Sequence, residues 1–158
     1  MTPLRFLGGL GLGLGLVFSA GCMASRDRAP VSALTPVAGD VRTGQAVWCP
    51  RRSMPELAGE LIVINPPGPD FLVRFSKDPL CLAQAERQGG RWRVEFAAGT
   101  RHRQGRGRLP QWTAWFVLTE ALDGATLPKP WTGQVRSTGE FRLSNPRTGE
   151  SLEGFLTP

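Results

Sequence analysis

Histidines, paired carboxylates and thiols are where a catalytic or ligating reading begins, and this chain holds few of them. His102 is the single histidine. It lies between Arg101 and Arg103. A Ser-His-Asp or Cys-His arrangement built on it would need an exposed nucleophile beside it, and no Gly-x-Ser-x-Gly elbow is present. His102 therefore reads as a solvated loop residue. Glu150 and Glu153 could serve as an acid–base pair, but on a terminal hairpin they read as charges that keep a sheet edge soluble. Metal binding requires clustered His, Cys or carboxylate ligands, and the three cysteines are too few and too far apart. No catalytic residue, cofactor or metal is expected.

The densest charge lies in Arg101-His102-Arg103-Gln104-Gly105-Arg106-Gly107-Arg108. Arg101, Arg103, Arg106 and Arg108 could contact lipid head groups or a partner, each basic group near an anionic surface contributing about 1 kcal/mol. The plainer reading is a solvated, glycine-rich hairpin loop. The whole chain carries 19 basic against 13 acidic residues, a formal net charge of +6. That balance would suit nucleic acid, but the N-terminus argues for export, which removes that partner and leaves anionic lipid.

Residues 1–21 have the order of an export signal: Arg5 in a short charged start, an apolar Leu/Gly stretch from Phe6 to Phe18, then Ser19-Ala20-Gly21 before Cys22. The apolar stretch is short for a bilayer span. Ala20-Gly21-Cys22 resembles the bacterial lipobox, with Ser19 where leucine is usual. The resemblance implies a lipoprotein cleaved before Cys22, with diacylglycerol on the thiol and a further acyl chain such as palmitate on the new amino end. Two or more chains hold a protein firmly where one would not. Met23-Ala24-Ser25 lacks the inner-membrane retention aspartate, which implies the outer membrane, facing the periplasm. An ordinary secretory signal cut near Ala20, or an uncleaved anchor, are the alternative readings. In an oxidising compartment Cys49 and Cys81 form an even pair, a candidate disulfide. It would close a loop of about 30 residues and contribute roughly 3 kcal/mol; two unpaired thiols are the other reading.

These groups must be positioned by a small domain. Residues 22–43 are rich in Ala, Pro, Ser, Thr, Gly and charge and lack an apolar period, so they read as lipidated cysteine plus tether; residues 44–158 form one domain. Leu61-Ile62-Val63-Ile64 ends at the turn Asn65-Pro66-Pro67-Gly68-Pro69. Phe71, Val73 and Phe75 alternate with Leu72 and Arg74. Leu80–Glu86 reads as a strand, and Trp92, Val94 and Phe96 alternate with Arg91, Arg93 and Glu95. Trp112, Trp115, Phe116, Thr119 and Leu122 fall near helical spacing ahead of Asp123-Gly124, although Thr113, Val117 and Thr119 are β-branched. Phe141 to Leu156 reads as a hairpin turning through Asn145–Gly149.

Phe71, Val73, Phe75, Trp92, Val94, Phe96, Trp112, Trp115 and Phe116 could pack as an ordinary core or line an apolar cavity for acyl chains. Gly59-Glu60-Leu61 leading to the Asn65–Pro69 turn, Leu109-Pro110-Gln111, Leu122 to Pro128 and Trp131-Thr132-Gly133 resemble the LolA/LolB group of lipoprotein carriers and receptors. The likeness covers roughly residues 59–156, in a domain smaller than a full LolB domain and without a clear counterpart to that receptor's protruding apolar loop. The resemblance implies a lipid-accepting cavity under a strongly curved or half-open barrel. The expected class is thus mainly β, an antiparallel sheet with one or two short helices. Two functions are expected: binding or transfer of lipid or acylated protein, or an interaction subunit of an envelope assembly with a filled core.

Overall fold

Alternating side chains and closely spaced turns cut the chain into short extended segments, which pair with their neighbours in sequence. The structure is a computed structural model describing residues 39–97 and 100–158, within one compact unit. The export signal, Cys22 and the tether up to residue 38 lie outside the described residues. The elements are β1 (Asp40–Cys49), β2 (Leu57–Asn65), β3 (Phe71–Lys77), β4 (Leu80–Gln88), β5 (Arg91–Phe96), β6 (Arg101–Arg106), α1 (Ala114–Leu122), β7 (Thr132–Val135), β8 (Glu140–Asn145) and β9 (Glu150–Thr157).

All strands join one antiparallel sheet in the order β6-β5-β4-β3-β2-β1-β9-β8-β7. Hairpins carry the chain from β1 to β6. It then passes through α1, returns along β7, β8 and β9, and β9 closes against β1. The domain is mainly β, as expected, with an open sheet and, among the described residues, a single short helix. No described helix is long and apolar enough to cross a membrane.

Because side chains alternate along a strand, the register defines two faces. Ala46, Trp48, Leu61, Val63, Val73, Phe75, Ala83, Ala85, Val94, Phe141, Leu143, Leu152 and Leu156 point to one side and join the core. We call this the inner face. The sheet curls strongly around it. β1 and β5 are four strand spacings apart, about 19 Å along a flat sheet, yet the rings of Trp48 and Phe96 stack with centroids 5.8 Å apart. α1 lies in the curl and touches β3 and β4 on one side and β7, β8 and β9 on the other. Its burial explains why the β-branched Thr113, Val117 and Thr119 do not prevent a helix here: tertiary packing outweighs their weak local preference.

Three expectations need correction. β1 begins at Asp40, within the segment assigned to the tether, because Asp40 to Thr43 pair with Asn65 to Ile62. Only backbone bonds make that part of β1 a strand, so no apolar pattern announces it. Arg101–Arg106, read as loop, is the edge strand β6. An edge strand needs a partner on one side only, and β5 provides it without demanding an apolar face.

The third correction concerns Cys49 and Cys81, which are unbridged. Three strand spacings separate β1 from β4, and the register places Cys81 opposite Ser76, Glu60 and then Gln45, four residues along β1 from Cys49. Their separation is on the order of 15–20 Å, against roughly 6 Å between the α-carbons of a disulfide. The Cys49 thiol instead donates to the carbonyls of Arg51 and Met54, at 3.1 and 3.6 Å, and Cys81 to that of Ala83. Alkylation of the denatured, unreduced protein should label both residues in mass spectrometry. A peptide pair joined through Cys49 and Cys81 would contradict this topology.

Candidate functional site

Glu150 starts β9 with the same parity as Leu152 and Leu156, so its carboxylate projects toward the core. It is 5% exposed. One oxygen, Oε1, accepts the Ala114 backbone N–H at 3.0 Å, the Thr113 hydroxyl at 3.2 Å and the Trp48 indole N–H at 3.2 Å. Ala114 is the first residue of α1, and Thr113 before it has extended backbone and no capping bond of its own. A carboxylate from another strand thus satisfies an orphan N–H at the helix start and complements the positive end of its dipole. Burial raises the Glu150 carboxyl above its ordinary value of 4.5, opposed by the bonds from Ala114, Trp48 and Thr113. Its role is to hold α1 to β1 and β9.

Beyond that tie, aromatic rings fill the curl. Trp115 meets Trp48 at 5.1 Å and Phe75 at 5.2 Å between centroids, and Phe116 meets Phe71 and Trp92 at 6.1 and 5.7 Å. Trp115, Phe116, Val117 and Leu118 are completely or almost completely buried. Of the nine residues proposed to line a cavity, Phe71, Val73, Phe75, Val94, Trp115 and Phe116 belong to this buried cluster, and Trp92 and Phe96 pack against it half-buried. Trp112 lies at the margin, 38% exposed, under the Arg103 guanidinium at 5.0 Å and near Phe96. The structure brings these residues together as contacting side chains with α1 seated among them.

An open depression lies on the opposite, outer face. It spans about 830 Å³ over β1, β2, β8 and β9, with Gln45, Val47, Glu60, Arg142, Glu153 and Phe155 among its lining. Gly59 and Gly154 lie beneath it, and neither position has room for a side chain: a Cβ at Gly59 would meet the Ser76 carbonyl oxygen and the Phe75 ring, and one at Gly154 the Gln45 carbonyl oxygen and the Phe141 ring. Phe155, 44% exposed, stands in the hollow, whereas Phe141, also in its lining, is buried. Ion pairs Arg142–Glu153 and Arg136–Glu140, both 2.8 Å, flank it.

Other residues singled out by sequence are dispersed. His102 is exposed on the outer face opposite Glu95. Glu150 and Glu153 point to opposite faces, so they form no acid–base pair. Arg101 and Arg103 project to the inner side of β6 and Arg106 to the outer side; Arg108 follows the strand. Among the described residues no group of three His, Cys, Asp or Glu side chains is placed to hold a metal. The sequence reading missed the burial of Glu150 and the groove around Phe155. The first was signalled by parity, since a charge at position 150 shares the face of Leu152 and Leu156. The second depends on β9 pairing with both β1 and β8, with β2 beyond β1, which no local pattern specifies.

Because the folded-state carboxyl of Glu150 is raised, its stability contribution is full below about pH 4.5 and is lost as pH rises through the folded value. In urea titrations from about pH 4 to 8, wild type should lose stability relative to Glu150→Gln as pH increases. Parallel curves would contradict the buried charge. Glu150→Ala, which leaves three donors without an acceptor, should cost about 2–3 kcal/mol.

No protein-family model matches this chain, and no curated protein matches it significantly.

Proposed function

We propose that this chain is a non-enzymatic lipoprotein of the bacterial envelope, tethered through acylated Cys22, whose domain receives an extended segment of a protein partner in its outer-face groove. The observation that carries this reading is the occupied inner face. The apolar side chains suited to acyl chains are already in contact with α1 and with each other, whereas the outer-face depression among the described residues is open. Its volume is within the usual range of binding clefts. An exposed aromatic among ion pairs suits a protein contact, where central aromatics supply much of the energy.

A second reading places lipid or an acylated protein on the inner face, as in the LolA/LolB group. It is favoured by the shortness of α1 and by the irregular segments at both its ends, residues 107–113 and 123–131. Displacing the helix would open the apolar interior. Native mass spectrometry of protein extracted gently from membranes distinguishes the readings: the groove reading expects no retained lipid, and stoichiometric lipid would favour the carrier.

The groove itself is tested by placing a photo-reactive amino acid at Phe155 and, as a control, at exposed Gln88 in intact cells. A discrete protein adduct should form from position 155 and not from 88. Indistinguishable patterns, or lipid adducts alone, would remove the proposal. Cys22→Ala should release the protein from the membrane fraction.

A further inference from the structure

The sheet has two open edges, and one of them is intensely basic. From Arg91 to Arg108 the chain contains six arginines and His102 against a single carboxylate, Glu95. Arg93 already occupies that carboxylate. The register sets Arg91 directly opposite Arg106 on the outer face, and like charges facing across strands cost stability. Among the described residues neither has a carboxylate within salt-bridge distance, nor do Arg101, Arg103 and Arg108. One or two charges suffice to protect an edge strand from unwanted pairing; an opposed arginine pair within so dense a cluster goes beyond that need.

The placement of the charges indicates the shape of what they meet. Arg101 and Arg103 project to the inner side of β6, Arg91 and Arg106 to the outer side. A ligand on either face would reach one pair only, whereas a flat surface approached edge-on meets both. β6 pairs with β5 alone, and all its residues except Gly105 are exposed. Trp112 sits at the same margin, partly exposed and stacked under Arg103. An indole beside arginines suits a membrane interface, where amphipathic rings settle at head-group depth.

We propose that the β5–β6 edge, with Trp112, docks on the anionic phospholipid head groups of the bilayer to which the domain is tethered. Charge complementarity commits the surface to this occupant: arginines recognise phosphate through paired N–H donors and hold their charge at every physiological pH. The inference rests on the tethered-domain reading. Docking through this edge would fix the orientation of the groove relative to the membrane.

The test uses the full-length acylated protein in vesicles of phosphatidylcholine alone and of phosphatidylcholine mixed with phosphatidylglycerol. Hydrogen exchange of residues 101–112 should slow several-fold only in the anionic vesicles and recover when salt is raised. Substituting Arg103→Glu and Arg106→Glu together should abolish that protection while exchange in α1 and β9 stays unchanged, showing that the fold survives. Equal exchange in the two vesicle types would overturn the proposal, as would protection that appears only when an acidic protein partner is added. Retention on neutral vesicles after a salt wash reads the tether separately, so its failure is distinguishable from failure of the edge contact.

Discussion

A sheet with one apolar face must cover that face, and here nine residues of helix do so. The curl brings β3 and β4 toward β7, β8 and β9 until α1 touches both sides, and the helix is short because the space is. A helix of this length is not stable alone. It depends on Trp115, Phe116, Val117 and Leu118, whose side chains are removed from water, and on the bond between Ala114 and Glu150. That bond reaches across the fold, from the first residue of α1 to the first of β9, with Trp48 of β1 on the same oxygen. Three elements distant in sequence are therefore joined at one carboxylate, and the curvature of the sheet is held by what it encloses.

Filling the inner face assigns the remaining surface its character. Alternation sends every second side chain outward, which places Arg142, Glu153 and Phe155 around the hollow and Arg91 and Arg106 near the far edge. Gly59 and Gly154 let Phe75 and Phe141 approach the backbone beneath the hollow. The groove and the basic edge occupy separate parts of the same sheet, so the two proposed contacts would both leave α1 in place.

Much of the fold was legible locally. Trp92, Val94 and Phe96 alternate cleanly and form β5; the proline-rich turn after Asn65 separates β2 from β3; the spacing from Trp112 to Leu122 yields α1. What escaped was stabilised from outside each segment. Asp40–Thr43 and Arg101–Arg106 are strands because a neighbour supplies backbone partners, and Thr132–Val135 is a polar edge of the same kind. The disulfide expected between Cys49 and Cys81 failed because sheet order, which the spacing of cysteines does not encode, places two strands between them. Of the candidate site, the basic cluster was visible as composition, but its division between two faces of an edge required the register. The aromatic residues expected to line a cavity stand as contacting rings around a helix, an arrangement that depends on the curl.

α1 is an integral part of the core and not a movable cover. Native-state hydrogen exchange of the Val117 and Leu118 amides tests this most directly, since exchange reports the free energy of the opening that exposes each amide. If the helix is integral, both amides exchange only through global unfolding, with the same free energy and denaturant dependence as the core amides of Val63 and Val73. Exchange of α1 through a separate opening of much lower free energy, while β2 and β3 remain protected, would instead make α1 a movable cover and the inner face a pocket.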